Sequence, residues 1–186
     1  MTAAFTGMVI LALGACGNAA PAGTAGATAT PPPEANSGES PSLTYVDARY
    51  HYRIDGPGHL VANLDGSAAY AGPAERLKVE VVQGARAGDV AGLARDDLAA
   101  MQSSLAGFHL VSAPAQSNVN GRTVWKFVYT FDAGTSSVTG RLQTLVGVRY
   151  YFPKNSTTVA AVTYGIVTNQ YDPQGADDIA STFQWQ

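Results

Sequence analysis

The sequence predicts an α+β domain, an antiparallel β-sheet with helices packed against it. Three observations lead there. Several segments alternate apolar and polar residues with period two, the mark of half-buried strands. Only two stretches carry helical spacing, one mid-chain and one at the C-terminal end. Their order is strands, a helix, a long run of strands and a helix, whereas a parallel α/β sheet alternates strand and helix throughout.

The first strand is expected over residues 43–54, with Val46, Ala48, Tyr50, Tyr52 and Ile54 on one face and Asp47, Arg49, His51 and Arg53 on the other. Asp55-Gly56-Pro57-Gly58 ends it, because Gly and Pro punctuate strands. A shorter strand or hairpin follows over 59–70, and Leu77-Lys78-Val79-Glu80-Val81 alternates cleanly again. Residues 89–105 read as a helix: Asp89 is a good N-cap, Val90, Ala94, Leu98, Met101 and Leu105 recur at spacings of four and three, and Gly107 closes it. A strand is expected at 108–113 and a turn at 118–121. In the strand 122–132, Trp125, Phe127, Tyr129 and Phe131 share one face. Strands at 138–148 and 159–167 continue the pattern. Between them, residues 149–156 read as an exposed hairpin tip or loop, since Tyr150-Tyr151-Phe152-Pro153 breaks the alternation. A closing helix begins with Asp172 as cap and Pro173 at the first helical position, and Ala176, Ile179, Ala180 and Phe183 fall on one face.

Ahead of this domain, Met8-Val9-Ile10-Leu11-Ala12-Leu13 is a short apolar run followed by Gly14, Ala15 and Cys16. A bilayer span needs about 20 apolar residues, so the run reads as a signal peptide. Leu13-Gly14-Ala15-Cys16 resembles the lipobox of bacterial lipoproteins. That resemblance implies a lipidated Cys16 thiol, cleavage just before it and an N-terminal amine open to acylation. Cys16 is the only cysteine of the chain; it cannot form an internal disulfide, and lipidation accounts for an unpaired thiol in an exported protein. Two or three acyl chains, at about 0.8 kcal/mol per buried CH₂, make a stable anchor. The alternative is an ordinary signal peptide in which Cys16 is incidental. Residues 1–7 hold no Lys or Arg, which leaves open a start upstream of Met1. The spacer up to residue 42 is Ala, Gly, Pro, Thr and Ser with only two charges, Glu34 and Glu39, a composition expected to stay disordered. The organisation is therefore a signal peptide at 1–15, a lipidated Cys16 with its linker at 16–42, and one α+β domain at 43–186. The last is long enough to bury roughly 68–70% of its unfolded surface.

Several classes of function are disfavoured. All eleven basic residues lie between Arg49 and Lys154, against twelve acids from Asp47 onward. No basic run exists to neutralise nucleic-acid phosphates or to form a polybasic patch for anionic lipids. The three histidines, His51, His59 and His109, have no metal-ligand spacing, and no cofactor motif is present. His51 is expected on the polar face of the first strand. No Gly-x-Ser-x-Gly elbow occurs. Asp96-Asp97 and Asp177-Asp178 are adjacent on helices, about 100° apart, and read as solvated faces rather than carboxylate dyads.

Tyr50-His51-Tyr52-Arg53-Ile54 with the Gly56-Pro57-Gly58 turn, the mid-chain helix, the long antiparallel sheet and the terminal helix ending in Ser181-Thr182-Phe183 together resemble the PsbP-like fold over residues 44–185. That superfamily includes the Mog-type nuclear import factors, and the actinobacterial LpqN-type lipoproteins look like exported relatives. The resemblance implies a PsbP-like α/β/α sandwich and an accessory, non-enzymatic binding role. In place of a commoner Pro-x-Gly-Trp turn the chain has Gly56-Pro57-Gly58-His59, and the segment after Tyr150 is longer than the usual hairpin there.

The stripe Trp125, Phe127, Tyr129 and Phe131 reads as core, with an apolar pocket lining as its alternative. Tyr150, Tyr151 and Phe152 are the candidate binding residues, because exposed aromatic clusters mark interaction sites. The expectation is an extracytoplasmic lipoprotein, membrane-anchored through Cys16, whose domain binds an envelope protein through that loop and the sheet edge. A carrier of a small apolar or lipidic ligand is the alternative. A small α+β hydrolase or isomerase is the third reading, with Asp55, His59 and His109 as its only candidate set.

Overall fold

The computed structural model describes residues 42–62, 67–71, 74–135 and 140–186. The signal peptide, Cys16 and the spacer up to residue 41 lie outside the described residues.

The expected first strand is in fact a hairpin. β1 (Ser42–Asp47) pairs antiparallel with β2 (Tyr52–Pro57), so that Leu43 opposes Gly56 and Asp47 opposes Tyr52. The chain reverses over residues 48–51. The buried Asp47 carboxylate accepts the Tyr50 backbone N–H at 2.6 Å and the Tyr45 hydroxyl at 3.0 Å, an Asx-type turn. His51 adopts φ 56° and is exposed, in a turn rather than on a strand face. Because Asp47 opposes Tyr52 and Tyr45 opposes Ile54, the inner face takes odd-numbered residues from β1 and even-numbered ones from β2, so the expected single apolar face is broken at the reversal and Val46 is 52% exposed.

The remaining strands build a seven-stranded sheet. β3 (His59–Ala62) and β4 (Ala68–Ala71) form the expected hairpin, and β5 (Glu75–Gln83) follows. Helix α1 (Val90–Ser104) starts where Asp89 caps it, the carboxylate accepting the Gly92 N–H at 2.8 Å. Then come β6 (His109–Val119), β7 (Arg122–Thr135), β8 (Leu142–Asn155) and β9 (Thr158–Val167). The spatial order is β3-β4-β5-β9-β8-β7-β6, and every pairing is antiparallel. Helix α2 (Pro173–Ser181) has Pro173 in its first turn and the Asp172 carboxylate accepting the N–H groups of Gln174 and Gly175. After it, β10 (Gln184–Trp185), which the sequence did not suggest, adds to β2 and completes a three-stranded sheet.

The two helices cover opposite faces. Leu93 and Ala94 of α1 pack on Phe127, Tyr129, Tyr151, Val159 and Ala161. Ala176 and Ala180 of α2, with Phe183, pack on Val148, Tyr150, Phe152 and Val162, and Tyr52 and Ile54 of the smaller sheet join them. The molecule is thus α+β, an antiparallel sheet with flanking helices, as expected.

A second expectation is overturned. Residues 149–152 are not part of an exposed hairpin tip or loop but the buried stretch of β8, which runs to Asn155; the exposed tip is confined to residues 153–157, with Ser156 and Thr157 turning into β9. Tyr150 and Tyr151 are 0% exposed and Phe152 is 3% exposed. β8 lies inside the sheet between β7 and β9 and is covered on both faces. A strand buried on both sides has no polar face to alternate with, so its aromatic run only imitates a loop.

Candidate functional site

Among the described residues, two interior charge clusters, one under each helix, and one exposed strand stand out. The first cluster centres on Arg149, in the apolar run of β8 and 6% exposed. Its guanidinium donates to Asp97 of α1 at 2.6 and 2.9 Å, to Glu80 of β5 at 3.0 Å and to Thr163 of β9 at 2.7 Å. The Tyr151 hydroxyl donates to the same Asp97 oxygen at 2.9 Å. A buried cation needs such a cage, because an unpaired charge in the interior is expensive. Burial works against the Arg149 charge, but Tyr151, Asp97 and Glu80 outweigh it and hold the pKa above its usual value. Burial drives the Tyr151 hydroxyl the other way, well above the ordinary phenol range. Neither group is poised to exchange a proton near neutral pH.

Glu80 makes the cluster pH-dependent. Burial opposes its charge, yet Arg149 and Lys78 prevail and lower its pKa below 4.5. A carboxylate with a depressed folded-state pKa contributes stability that is present above its unfolded value and lost as pH falls through the folded value. The domain should therefore lose stability as pH drops below about 4.5, and Glu80→Gln should flatten that loss. Urea melts across a pH series check it; an unchanged acid limb would remove Glu80 from the explanation.

The second cluster lies under α2. Asp177 Oδ1 accepts Lys126 Nζ at 2.7 Å and the Tyr150 hydroxyl at 2.8 Å. The carboxylate neighbours that looked like solvated pairs are thus split, and that expectation is corrected for one member of each. Asp97 and Asp177 turn inward at 20% and 19% side-chain exposure, while Asp96 stays outside at 68% and Asp178 is exposed. Helical geometry explains the split. Asp97 lies four residues after buried Leu93, and Asp177 follows buried Ala176 and precedes Ala180 by three. Asp177→Ala should cost about 2 kcal/mol, since it strands one cation and one hydroxyl. Asp178→Ala, one residue along, should stay within about 0.5 kcal/mol. Paired thermal melts test this contrast; equal effects would mean that the cluster does not fasten α2.

The other sequence candidates separate. Tyr150 and Phe152 lie on the α2 side and Tyr151 on the α1 side, all buried. Asp55, His59 and His109 are not brought together. His59 is on β3 and His109 on β6, the opposite edges of the large sheet. Asp55 belongs to the small sheet, where it accepts the Thr44 hydroxyl at 2.6 Å. No group of three His, Cys, Asp or Glu among the described residues could hold a metal. The stripe Trp125, Phe127, Tyr129 and Phe131 is core: α1 and Phe108 cover it, and the Phe108 and Tyr129 rings stack at 5.5 Å. Burial pushes the Tyr129 hydroxyl up to about 12.

The exposed strand is β6. Residues 109–113 are all exposed, Val111 at 57% and Leu110 at 36%. The strand shifts register against β7 between Leu110 and Ser112 and again between Ser112 and Ala115, so Val111 is an extra residue with no β7 partner. No Lys, Arg, Asp or Glu occurs from 98 to 121. That uncharged run was visible in the sequence; what was not visible is that it ends on an open sheet edge. Edge strands ordinarily carry charge to discourage pairing. Pro114 and the bulges blunt this one only in part.

No helix among the described residues is long and apolar enough to cross a membrane. No protein-family model matches the chain, and neither does any curated protein. Solved structures do. A crystal structure from Bacteroides thetaiotaomicron aligns over 77% of this chain at 9% identity and TM-score 0.51. This chain covers 48% of that longer one. The Ran-binding protein Mog1p of Saccharomyces cerevisiae aligns over 78% of this chain and 95% of its own, at 9% identity and TM-score 0.51. LpqN of Mycobacterium tuberculosis, involved in cell envelope biogenesis, aligns over 80% of this chain and 86% of its own, at 12% identity and TM-score 0.41. The likeness is one of fold, and the fold that the chain shares with Mog1p is the Mog-type one its sequence resembles.

Proposed function

We propose that this chain is a non-enzymatic binding protein of the cell envelope: a PsbP-like α/β/α sandwich at 43–186, carried on a linker behind a lipidated Cys16, facing the extracytoplasmic side and recognising a protein partner. One observation carries the binding reading. The inward carboxylates Asp97 and Asp177 are held by Arg149 and Lys126 and by two tyrosine hydroxyls, while an uncharged strand that exposes Leu110 and Val111 forms the edge of the sheet. Interior groups fixed in ion pairs are structural, and an open edge is a site for another polypeptide. The fold agrees with this, since the yeast protein that shares it binds Ran. The anchor rests on the Leu13-Gly14-Ala15-Cys16 signature and the lone cysteine.

The aromatic stripe that a carrier would use is filled by α1, so a protein partner is favoured over an apolar ligand. Native mass spectrometry of the full chain extracted from its own membrane separates these readings. The expected spectrum shows covalent acyl mass on the Cys16 peptide and no dissociable small molecule. An apolar molecule released on activation would establish the carrier instead, and an unmodified Cys16 would remove the anchor.

A further inference from the structure

We infer that the partner at the β6 edge is a second copy of this chain, the two edges meeting antiparallel about a two-fold axis near Val111. The inference rests on the protein-binding reading above and names its partner. Its first support is electrostatic. A two-fold axis sets each residue of one strand against the strand's own residues in reverse order, so a charged strand brings like charges together. Like charges directly opposite destabilise a pair. From 98 to 121 this chain offers none, and β6 lies wholly inside that run. A charged partner strand would lose water here and find no counter-charge.

The second support is geometric. β6 already pairs antiparallel on its inner side, and a two-fold copy extends the same ladder outward. With Val111 on the axis, Val111 faces Val111, Leu110 faces Ser112 and His109 faces Ala113. Each of these residues is exposed in the single chain, and Val111 lacks a β7 partner. Pro114 lacks an N–H and, repeated by the axis, ends the matching stretch on both sides. An isologous contact of this kind is the commonest route to a homodimer. The patch is small, and confinement of tethered copies to one membrane raises their effective concentration enough for a weak contact to count.

Val111→Cys in the full, membrane-inserted chain tests the proposal, because the two thiols would lie within disulfide reach across the axis. Lys78→Cys is the control, an exposed position on β5 with β9, β8 and β7 between it and the edge. Mild oxidation should give a disulfide-linked homodimer with Val111→Cys and at least tenfold less with Lys78→Cys. Val111→Lys, which sets two ammonium groups face to face, should reduce the dimer fraction seen by native mass spectrometry at least tenfold without lowering the melting temperature. Equal cross-linking at both positions, or none at either, overturns the proposal. A Val111→Cys adduct to a different protein overturns self-pairing while leaving the protein-binding reading standing. An apolar ligand in the same native spectra, with no dimer and no adduct, removes that reading as well.

Discussion

Arg149→Met should lower the stability of the domain by about 3 kcal/mol, the lower end of the ~3–5 kcal/mol range for removing one member of a buried ion pair. Met preserves most of the volume, so the loss is electrostatic. Asp97 and Glu80 are left without their guanidinium, and the Tyr151 hydroxyl remains on Asp97 alone. The lower end applies because Asp97 is 20% and Glu80 35% exposed, so water recovers part of what the cation supplied. For a domain of this size that corresponds to a fall in melting temperature of roughly 10 °C. The double variant Arg149→Met, Asp97→Leu should regain much of it, since a well-packed apolar pair often equals a buried ionic one. Asp96→Asn, whose Arg86 contact is 3.4 Å long and exposed, should change almost nothing. Differential scanning calorimetry on these variants decides the matter. A fall of under about 1 kcal/mol for Arg149→Met would show that the cluster is incidental to holding α1 on the sheet.

The same residue shows where sequence reasoning reached and where it stopped. The amphipathic patterns are local, so α1, α2 and the Trp125-Phe127-Tyr129-Phe131 face of β7 were all legible. So was the α+β class, which follows from element order. The misreadings share one cause, which is that a neighbour in space decided the outcome. Tyr150, Tyr151 and Phe152 look like a loop only if β8 is taken for a half-exposed strand; its place between β7 and β9 comes from long-range pairing. The β1–β2 reversal lies inside a stretch where Val46, Ala48, Tyr50, Tyr52 and Ile54 keep an even spacing, and only the pairing of Val46 with Arg53 and of Asp47 with Tyr52 shows that they do not share a face. Asp97 and Asp177 did carry a signal, since each sits on the apolar stripe of its helix. That signal becomes decisive only once Arg149 and Lys126 are known to lie beneath them. The open β6 edge is topological, and no window of sequence holds it.

Phe183→Ala should cost about 4 kcal/mol, within the ~3–5 kcal/mol expected for truncating a fully buried aromatic ring. Phe183 is 0% exposed and joins the two sheets. Its ring lies 5.4 Å from Tyr52 of β2, 5.0 Å from Phe152 of β8 and 5.1 Å from Trp185 of β10, centroid to centroid. Its carbonyl accepts the Arg122 guanidinium at 2.5 Å, and that guanidinium also reaches the Ser181 carbonyl. Truncation leaves a cavity that three rings and a pinned backbone cannot close, which is the condition under which cavity costs are largest. The loss should be felt first in the small sheet. β10 is held by two register pairs with β2 and by the Trp185 indole N–H on the Phe152 carbonyl at 3.2 Å. Trp185 emission, isolated by Trp125→Phe, should shift to the red in the Phe183→Ala variant at temperatures below the main unfolding transition. Hydrogen exchange at Tyr52 and Arg53 should accelerate before that of β8. An unshifted emission with a loss under about 1 kcal/mol would place the fastening of the two sheets in Tyr52 and Ile54 instead.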